Sequence, residues 1–251
     1  MERAHREEWF DDDSFWEELF PFMFGDWRIA EAEEQADALL ALTGAQRGRV
    51  LDLCCGPGRF SVAFAKRGFT VTGVDRTTFL LNKARAHAKT SGAEVEFVQS
   101  DMRDFVRPGA FDLALSLFTS FGYFDDKGED LAVLQHVHSS LAEGGCLLID
   151  VMGKERLAKI FLKAVCDTLP DGTMLVQRHE IFDDWTRVRN EWIVIRDGKT
   201  KSFKFHHTVY SGEELRNLLL RAGFSSVKLY GDYDGSEYGV NCRRLVAVAA
   251  K

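Results

Sequence analysis

From residue 48 to residue 151 the chain alternates short apolar runs with amphipathic stretches. "GRVLDLCC" (48–55) has the composition of a buried strand, and "RFSVAFAKRG" (59–68) has helical spacing that stops at Gly68. "FTVTGVD" (69–75) is a β-branched strand. Thr77 or Thr78 offers a cap for a helix over "FLLNKARAHAKTSG", which runs to Gly92. "EVEFVQ" (94–99) and "FDLALSLF" (111–118) are two more strands, followed by a helix near 127–142 and a fifth strand, "GGCLLIDV" (144–151). Strands alternating with helices predict parallel pairing through right-handed crossovers, and so an α/β core.

The pattern changes after Val151. A helix over "KERLAKIFLKAV" leads into three strand-like runs, "TMLVQRHEIF", "VRNEWIVIR" and "KSFKFHHTVY", with Asp197-Gly198 as a hairpin turn between the last two. Residues 152–210 therefore read as an antiparallel β insertion after strand five. Ser211 and Glu214 then form a capping box for the helix "YSGEELRNLLLRAGF", and "SSVKLY" and "RRLVAVAAK" complete a seven-stranded, mostly parallel sheet. The predicted organisation is an N-terminal helical lid (1–47), an α/β core (48–151 and 211–251) and an antiparallel lid (152–210).

Composition narrows the function. With 45% hydrophobic and 28% charged residues, 251 residues suffice for one large domain with a core. No apolar run approaches the ~20 residues that span a bilayer, and the charged start "MERAHREEWFDDD" has no signal-peptide core, so a cytoplasmic location and no membrane partner are expected. A net charge of −7 argues against broad nucleic-acid binding, which needs clustered cations to displace counterions. Cys54, Cys55, Cys146, Cys166 and Cys242 show no metal-ligand spacing, and no metal is expected.

Gly56-Pro57-Gly58 sits between the first strand and the first helix, where backbone N–H groups and a helix N-terminus favour nucleotide-like ligands. A plain turn needs one glycine, not two flanking a proline. The nicotinamide fingerprint would place a third glycine where Ser61 stands, and the G-K-S/T of a P-loop is absent.

Asp52-Leu53-Cys54-Cys55-Gly56-Pro57-Gly58 resembles the first motif of the class I S-adenosylmethionine-dependent methyltransferases, whose usual form is D/E-x-G-x-G-x-G. Cys54 stands at that family's first glycine, which it can fill if φ is negative there. The resemblance implies a Rossmann-like fold with S-adenosyl-L-methionine as cofactor. It implies that Asp75, followed by Arg76, takes the two ribose hydroxyls, a task suited to a carboxylate that accepts two hydrogen bonds. It also implies that Asp101 takes the adenine amine, that Met102 packs on the ring, and that the carbonyl of Leu117 holds the methionine amino group. Arg28 and Arg59 are candidates for the methionine carboxylate, beside a reading of each as a surface arginine. The similarity covers roughly 48–151 and, less specifically, 211–251.

The acceptor is read partly from absences. Leu117-Phe118-Thr119-Ser120 replaces the N/D-P-P-Y/F of enzymes acting on exocyclic base nitrogens. No Pro-Cys nucleophile and no magnesium-type acid cluster occurs. The layout is similar to small-molecule methyltransferases of the amino-sugar N-methyltransferase kind, whose F-S-S-x-G-H run corresponds to Phe118-Thr119-Ser120-Phe121-Gly122-Tyr123. A small-molecule nitrogen or oxygen acceptor is therefore expected, with Tyr123 and His207 as catalytic candidates. His179, His206 and Tyr210 are further polar groups, and His206 and His207 must point to opposite faces of their strand. The aromatic and acidic stretch 7–24 reads either as an amphipathic helix packed on the core or as a lid whose Asp11–Asp13 cluster attracts a cationic amine. Two other classes stay open: a non-catalytic S-adenosylmethionine-binding subunit, and a nicotinamide-dependent oxidoreductase suggested by Tyr123-x-x-x-Lys127.

Overall fold

The computed structural model describes residues 8–251, so residues 1–7 of the expected lid lie outside the described residues. After a short turn at Trp9–Asp11, α1 (Asp13–Met23) and α2 (Asp26–Thr43) precede β1 (Arg49–Leu53), α3 (Arg59–Lys66), β2 (Thr70–Asp75), α4 (Thr78–Ser91), β3 (Val95–Gln99) and β4 (Phe111–Ser116). Next come α5 (Lys127–Ser140), β5 (Leu141–Val151) and α6 (Lys154–Ile160). Four strands follow, β6 (Ala164–Thr168), β7 (Met174–Phe182), β8 (Arg187–Arg196) and β9 (Lys199–Thr208). The chain closes with α7 (Gly212–Arg221), β10 (Ser226–Tyr230) and β11 (Leu245–Ala250).

The seven-stranded sheet runs β10-β11-β5-β4-β1-β2-β3. Its β1, β2, β3, β4 and β5 pair in parallel, while β11 lies antiparallel between β5 and β10. Both faces of the central strands are covered, which is why β1 and β4 read as nearly continuous apolar runs. The order of connection reverses between β1 and β4, so the loops leaving their carboxyl ends diverge and open a crevice there.

The insertion forms a separate antiparallel sheet, β6-β7-β8-β9. Three of its strands fall where the apolar alternation placed them. The fourth, β6, corrects the expectation of a helix through Val165: α6 ends at Ile160 and an edge strand begins at Ala164. Four of its five residues are exposed, so it carries no alternating signal. The strand expected to start at Gly144 begins at Leu141, with a register irregularity against β4 between Phe111 and Leu113.

The N-terminal helices divide their work. Ala32, Ala36 and Leu39 of α2 pack into the α/β core. Phe15 and Leu19 of α1 instead bury against Leu175, Val194, Phe203 and Phe205 of the insertion sheet. The aromatic stretch thus joins the insertion rather than simply coating the core, and Phe20 reaches α4 by an edge contact with Phe79. No helix among the described residues is long and apolar enough to cross a membrane.

Candidate functional site

The loop leaving β1 is held before α3 begins. The Cys55 N–H donates to the Val74 carbonyl at 2.9 Å, and the Gly58 N–H donates to the Cys55 carbonyl at 3.0 Å. Gly58 takes φ 75° as the residue capping α3, and a Cβ there would stand 2.9 Å from the Ala84 Cβ of α4. Only glycine meets both demands. Ser61, at the third place of a nicotinamide fingerprint, donates its hydroxyl to Asp52 at 2.6 Å, while the close approach to β2 is provided by Gly73, where a Cβ would sit 2.9 Å from Ser61 Oγ. Cys54 corrects one expectation: its φ is +59°, the left-handed conformation of the glycine it replaces. A side chain there costs about 1–2 kcal/mol. Its sulfur lies 3.6 Å from the Met102 sulfur. Burial, then the nearby carboxylates, push the Cys54 and Cys55 thiols well up, so neither supplies a thiolate at neutral pH.

Two acids stand at the ends of β2 and β3. Asp75 is buried; its Oδ2 accepts the Gly56 N–H at 2.8 Å and its Oδ1 the Thr77 N–H at 2.9 Å. Burial nevertheless raises its pKa above the usual carboxylate value. Asp101 is held differently. Arg103 donates to it from Nε and Nη2, Arg76 donates Nη1 at 2.6 Å, and both arginines also bind Glu8, at 2.5 Å for Arg103 and 3.1 Å for Arg76. Burial would raise Asp101, but these guanidinium groups outweigh it and hold its pKa low. Asp11 completes the cluster on Arg76 at 2.6 Å. The N-terminal segment is thereby tied by charge to the β3 loop. Arg103 and Glu8 escaped the sequence reading, because nothing local marks a partner 95 residues away.

The loop after β4 is strained and braced. Phe118 and Thr119 have φ of 57° and 58°. Buried Asp150, in β5, accepts the Phe118 N–H at 3.1 Å, the Tyr233 hydroxyl at 2.5 Å and Arg244 at 2.9 Å. The Leu117 carbonyl accepts the Ser120 hydroxyl at 2.7 Å, which leaves a second lone pair. Beside this loop Arg59 lies only 7% exposed, its guanidinium 3.8 Å from the Phe118 ring centroid. Arg59 Nη1 and Arg28 Nε are buried with no hydrogen-bond partner among the described residues. Burial, with Arg28 adjacent, lowers Arg59 to about 10, still a cation at neutral pH. Arg59 is not the surface arginine that one reading allowed. An acceptor placed beside them would satisfy both donors.

These elements line one cavity of about 600 Å³. Asp52, Cys54, Gly56, Asp75, Arg76, Asp101, Met102, Leu117, Arg28, Arg59 and Tyr123 all face it; Gly58 and His207 do not. Gly58 shapes the loop from behind. His207 packs its ring 5.3 Å from that of Tyr123, and Asn190 Nδ2 lies 3.2 Å from its Nδ1. Burial, with His179 and His206 nearby, lowers His207 to about 4, so it is uncharged at neutral pH. The strand alternation holds: His206 turns away and pairs with Asp125 at 2.9 Å. Tyr210 binds buried Asp130 at 2.5 Å, away from the cavity, and His179 binds Asn190 at 2.9 Å. Burial pushes the Tyr123 phenol far up, so it stays protonated. The acidic run does not face the cavity: Asp11 holds Arg76, and Asp12 caps α1 through the Ser14 N–H at 2.9 Å. Among the described residues no group of three or more His, Cys, Asp or Glu could hold a metal ion.

A family model described as a methyltransferase domain matches residues 50–145. YqeM of Bacillus subtilis (strain 168), provisionally named a methyltransferase, is 29% identical over 220 residues, covering 82% of this chain and 85% of its own. Among solved structures, an S-adenosylmethionine-dependent methyltransferase from Clostridium acetobutylicum ATCC 824 superposes with a TM-score of 0.76 at 16% identity, covering 95% of this chain and 98% of that one. CalS10 of Micromonospora echinaspora, an amino pentose methyltransferase solved with S-adenosylmethionine bound, superposes with a TM-score of 0.66 at 23% identity over 100% of this chain and 99% of that one.

Proposed function

We propose, because the chain belongs to the class I S-adenosylmethionine-dependent methyltransferases, that it methylates a nitrogen or oxygen of a small molecule enclosed between the N-terminal helices and the insertion sheet. One observation carries this reading: the motif acids, the unpaired arginine donors and Tyr123 converge on a single cavity covered by both segments.

The residues suit S-adenosylmethionine end by end. The carboxylate of Asp75 would accept the two ribose hydroxyls beside the backbone N–H groups it already holds. Asp101, held ionised by Arg76 and Arg103, would accept the adenine amine, with Met102 against the ring. Arg59 and Arg28 would pair with the methionine carboxylate, which satisfies their orphaned N–H groups. The remaining lone pair of the Leu117 carbonyl would take the amino group. Held by these residues, the cofactor would supply an electrophilic methyl group at its sulfonium, within reach of an acceptor in the same cavity.

Tyr123 would orient the acceptor. Its phenol is too weak an acid to serve as a base near neutrality, so it holds the nucleophile by a hydrogen bond. His207 would act only through Tyr123, by packing the ring in place. The aromatic cluster of α1 and the insertion sheet would limit the access of water to the cavity. Titration calorimetry tests the reading: S-adenosylhomocysteine should bind with micromolar affinity and nicotinamide cofactors should not. The reverse preference would sink it.

A further inference from the structure

Resting on the reading just given, we infer that Phe118 is a positioning residue: its ring holds the Arg59 guanidinium ready for the cofactor's carboxylate and leaves its N–H groups free. Two guanidinium groups lie over that ring, Arg59 at 3.8 Å from the centroid and Arg244 at 4.5 Å. Their other contacts differ. Arg244 is fixed by carboxylates: its Nη1 lies 2.9 Å from Asp150 and its Nε 3.4 Å from Asp232. Arg59 forms no ion pair among the described residues, its Nη1 is buried without a partner there, and the Asp52 carboxylate acts on it only through space.

The two kinds of contact leave different groups available. The donors of a guanidinium lie in its own plane, whereas its attraction to an aromatic ring acts through the ring face. A salt bridge would hold Arg59 as firmly but would take up donors that a carboxylate needs. Phe118, Arg59 and Arg28 all line the cavity, so donors left free there stay open to a ligand.

The ring is itself pinned. Phe118 and Thr119 are consecutive non-glycine residues in the left-handed region, at φ 57° and 58°. Such a pair persists where its surroundings over-determine it. Here β5 does so: Asp150 Oδ2 accepts the Phe118 N–H at 3.1 Å along with the Tyr233 hydroxyl and Arg244, and the Asp150 carbonyl accepts the Thr119 N–H at 3.0 Å. Arg59 is the first residue of α3, directly after the capping Gly58, so its backbone is fixed too. Pre-orientation sets the sign of the effect. An arginine freed from the ring must be immobilised when the carboxylate arrives, which lowers affinity about two- to tenfold. A ring that merely stabilised the empty cation would do the opposite, since its loss would leave Arg59 in greater need of an anion.

The test titrates two ligands into the full-length protein by calorimetry. S-adenosylhomocysteine carries the carboxylate; methylthioadenosine has the same adenosine and thioether but no amino-acid end. The ratio of their affinities reads the amino-acid end apart from the rest of the site. Mono-, di- and trifluorinated phenylalanine are placed at Phe118, because fluorine withdraws negative potential from the ring face and nearly preserves its shape. The preference for S-adenosylhomocysteine should fall stepwise with each fluorine, with methylthioadenosine affinity steady. Phe118→Leu should lower that preference about two- to tenfold, and in an Arg59→Met background it should lower it no further. An unchanged or increased preference, equal weakening of both ligands, or a further loss in the Arg59→Met background would overturn the inference alone. Failure of S-adenosylhomocysteine to bind the wild type would remove the reading beneath it as well.

Discussion

Replacing Asp75 with asparagine preserves the side chain's size and removes its charge, and the structure gives opposite expectations for affinity and stability. In the wild type each carboxylate oxygen already accepts one backbone N–H, from Gly56 at 2.8 Å and from Thr77 at 2.9 Å. An amide has one oxygen, so one of those donors, or one ribose hydroxyl, must face an NH₂. Losing one hydrogen bond to a charged acceptor costs about 1.5–3 kcal/mol, which is about a tenfold to hundredfold weakening of cofactor binding. Stability should move the other way or not at all. Burial raises the Asp75 pKa despite its hydrogen bonds, so the ionised carboxylate is a net burden on the folded state at neutral pH, and the neutral amide relieves it. Calorimetry with S-adenosylhomocysteine and a thermal melt, both at pH 7.5, read the two effects separately. Affinity within twofold of wild type would refute the placement of Asp75 at the ribose. A large fall in Tm alongside the affinity loss would show that the carboxylate chiefly holds the glycine loop.

Other consequences are equally direct. Tyr123→Phe should lower turnover about tenfold to a thousandfold, the scale of one lost orienting contact, with cofactor affinity little changed; wild-type turnover would remove Tyr123 from the mechanism. Burial, partly offset by the Ser61 hydroxyl, raises Asp52 to about 6, so the folded state binds this proton more tightly than the unfolded state does. Its contribution to stability is then greatest below pH ~4 and declines as pH rises toward 6. Asp52→Asn should gain on wild type across that window in urea unfolding, and a difference that does not grow with pH would contradict the assignment. Glu8→Gln unties the N-terminal segment from Arg76 and Arg103, and should speed S-adenosylhomocysteine release about two- to fivefold in stopped-flow displacement, as befits partly exposed ion pairs; slower release would mean that the segment does not gate the site. Methyl transfer should survive a chelator undiminished, and loss of activity restored by magnesium would disprove the metal-free mechanism.

What could be read from the sequence and what could not divide along a physical line. The seven core strands and the glycine loop were legible because each leaves a local record: a buried parallel strand is a continuous apolar run, and a left-handed cap beside a crowded helix demands glycine. The left-handed turn at Cys54 was hidden because cysteine does not advertise that conformation. Strand β6 was hidden because an exposed edge has no face to bury. The braces of the site were hidden for a different reason. Glu8 and Arg103 are 95 residues apart, and Asp150 and Tyr233 are 83 apart, so their pairing depends on a topology that no window of sequence contains.

Arg59 shows how the two kinds of information join. By composition it is one arginine among many, opening a helix whose periodicity says nothing about its burial. Once β4 leaves the sheet beside β1, the loop bearing Phe118 must pass over the start of α3, and Arg59 is caught beneath it with its guanidinium 3.8 Å from the ring centroid. A cation so enclosed, with Nη1 unpaired among the described residues and Arg28 beside it, is only partly offset by the nearby Asp52 carboxylate. The fold therefore carries an electrostatic debt at the end of the cavity where a cofactor carboxylate would lie. That debt predicts the sign of Arg59→Met: the empty protein should become more stable, while S-adenosylhomocysteine binding weakens about tenfold or more, the loss expected for a buried charge-assisted pair. Thermal melts of the empty protein and calorimetry with S-adenosylhomocysteine decide it. A variant that melts lower and binds as tightly as wild type would show that Arg59 supports the Phe118 loop and has no part in holding the cofactor.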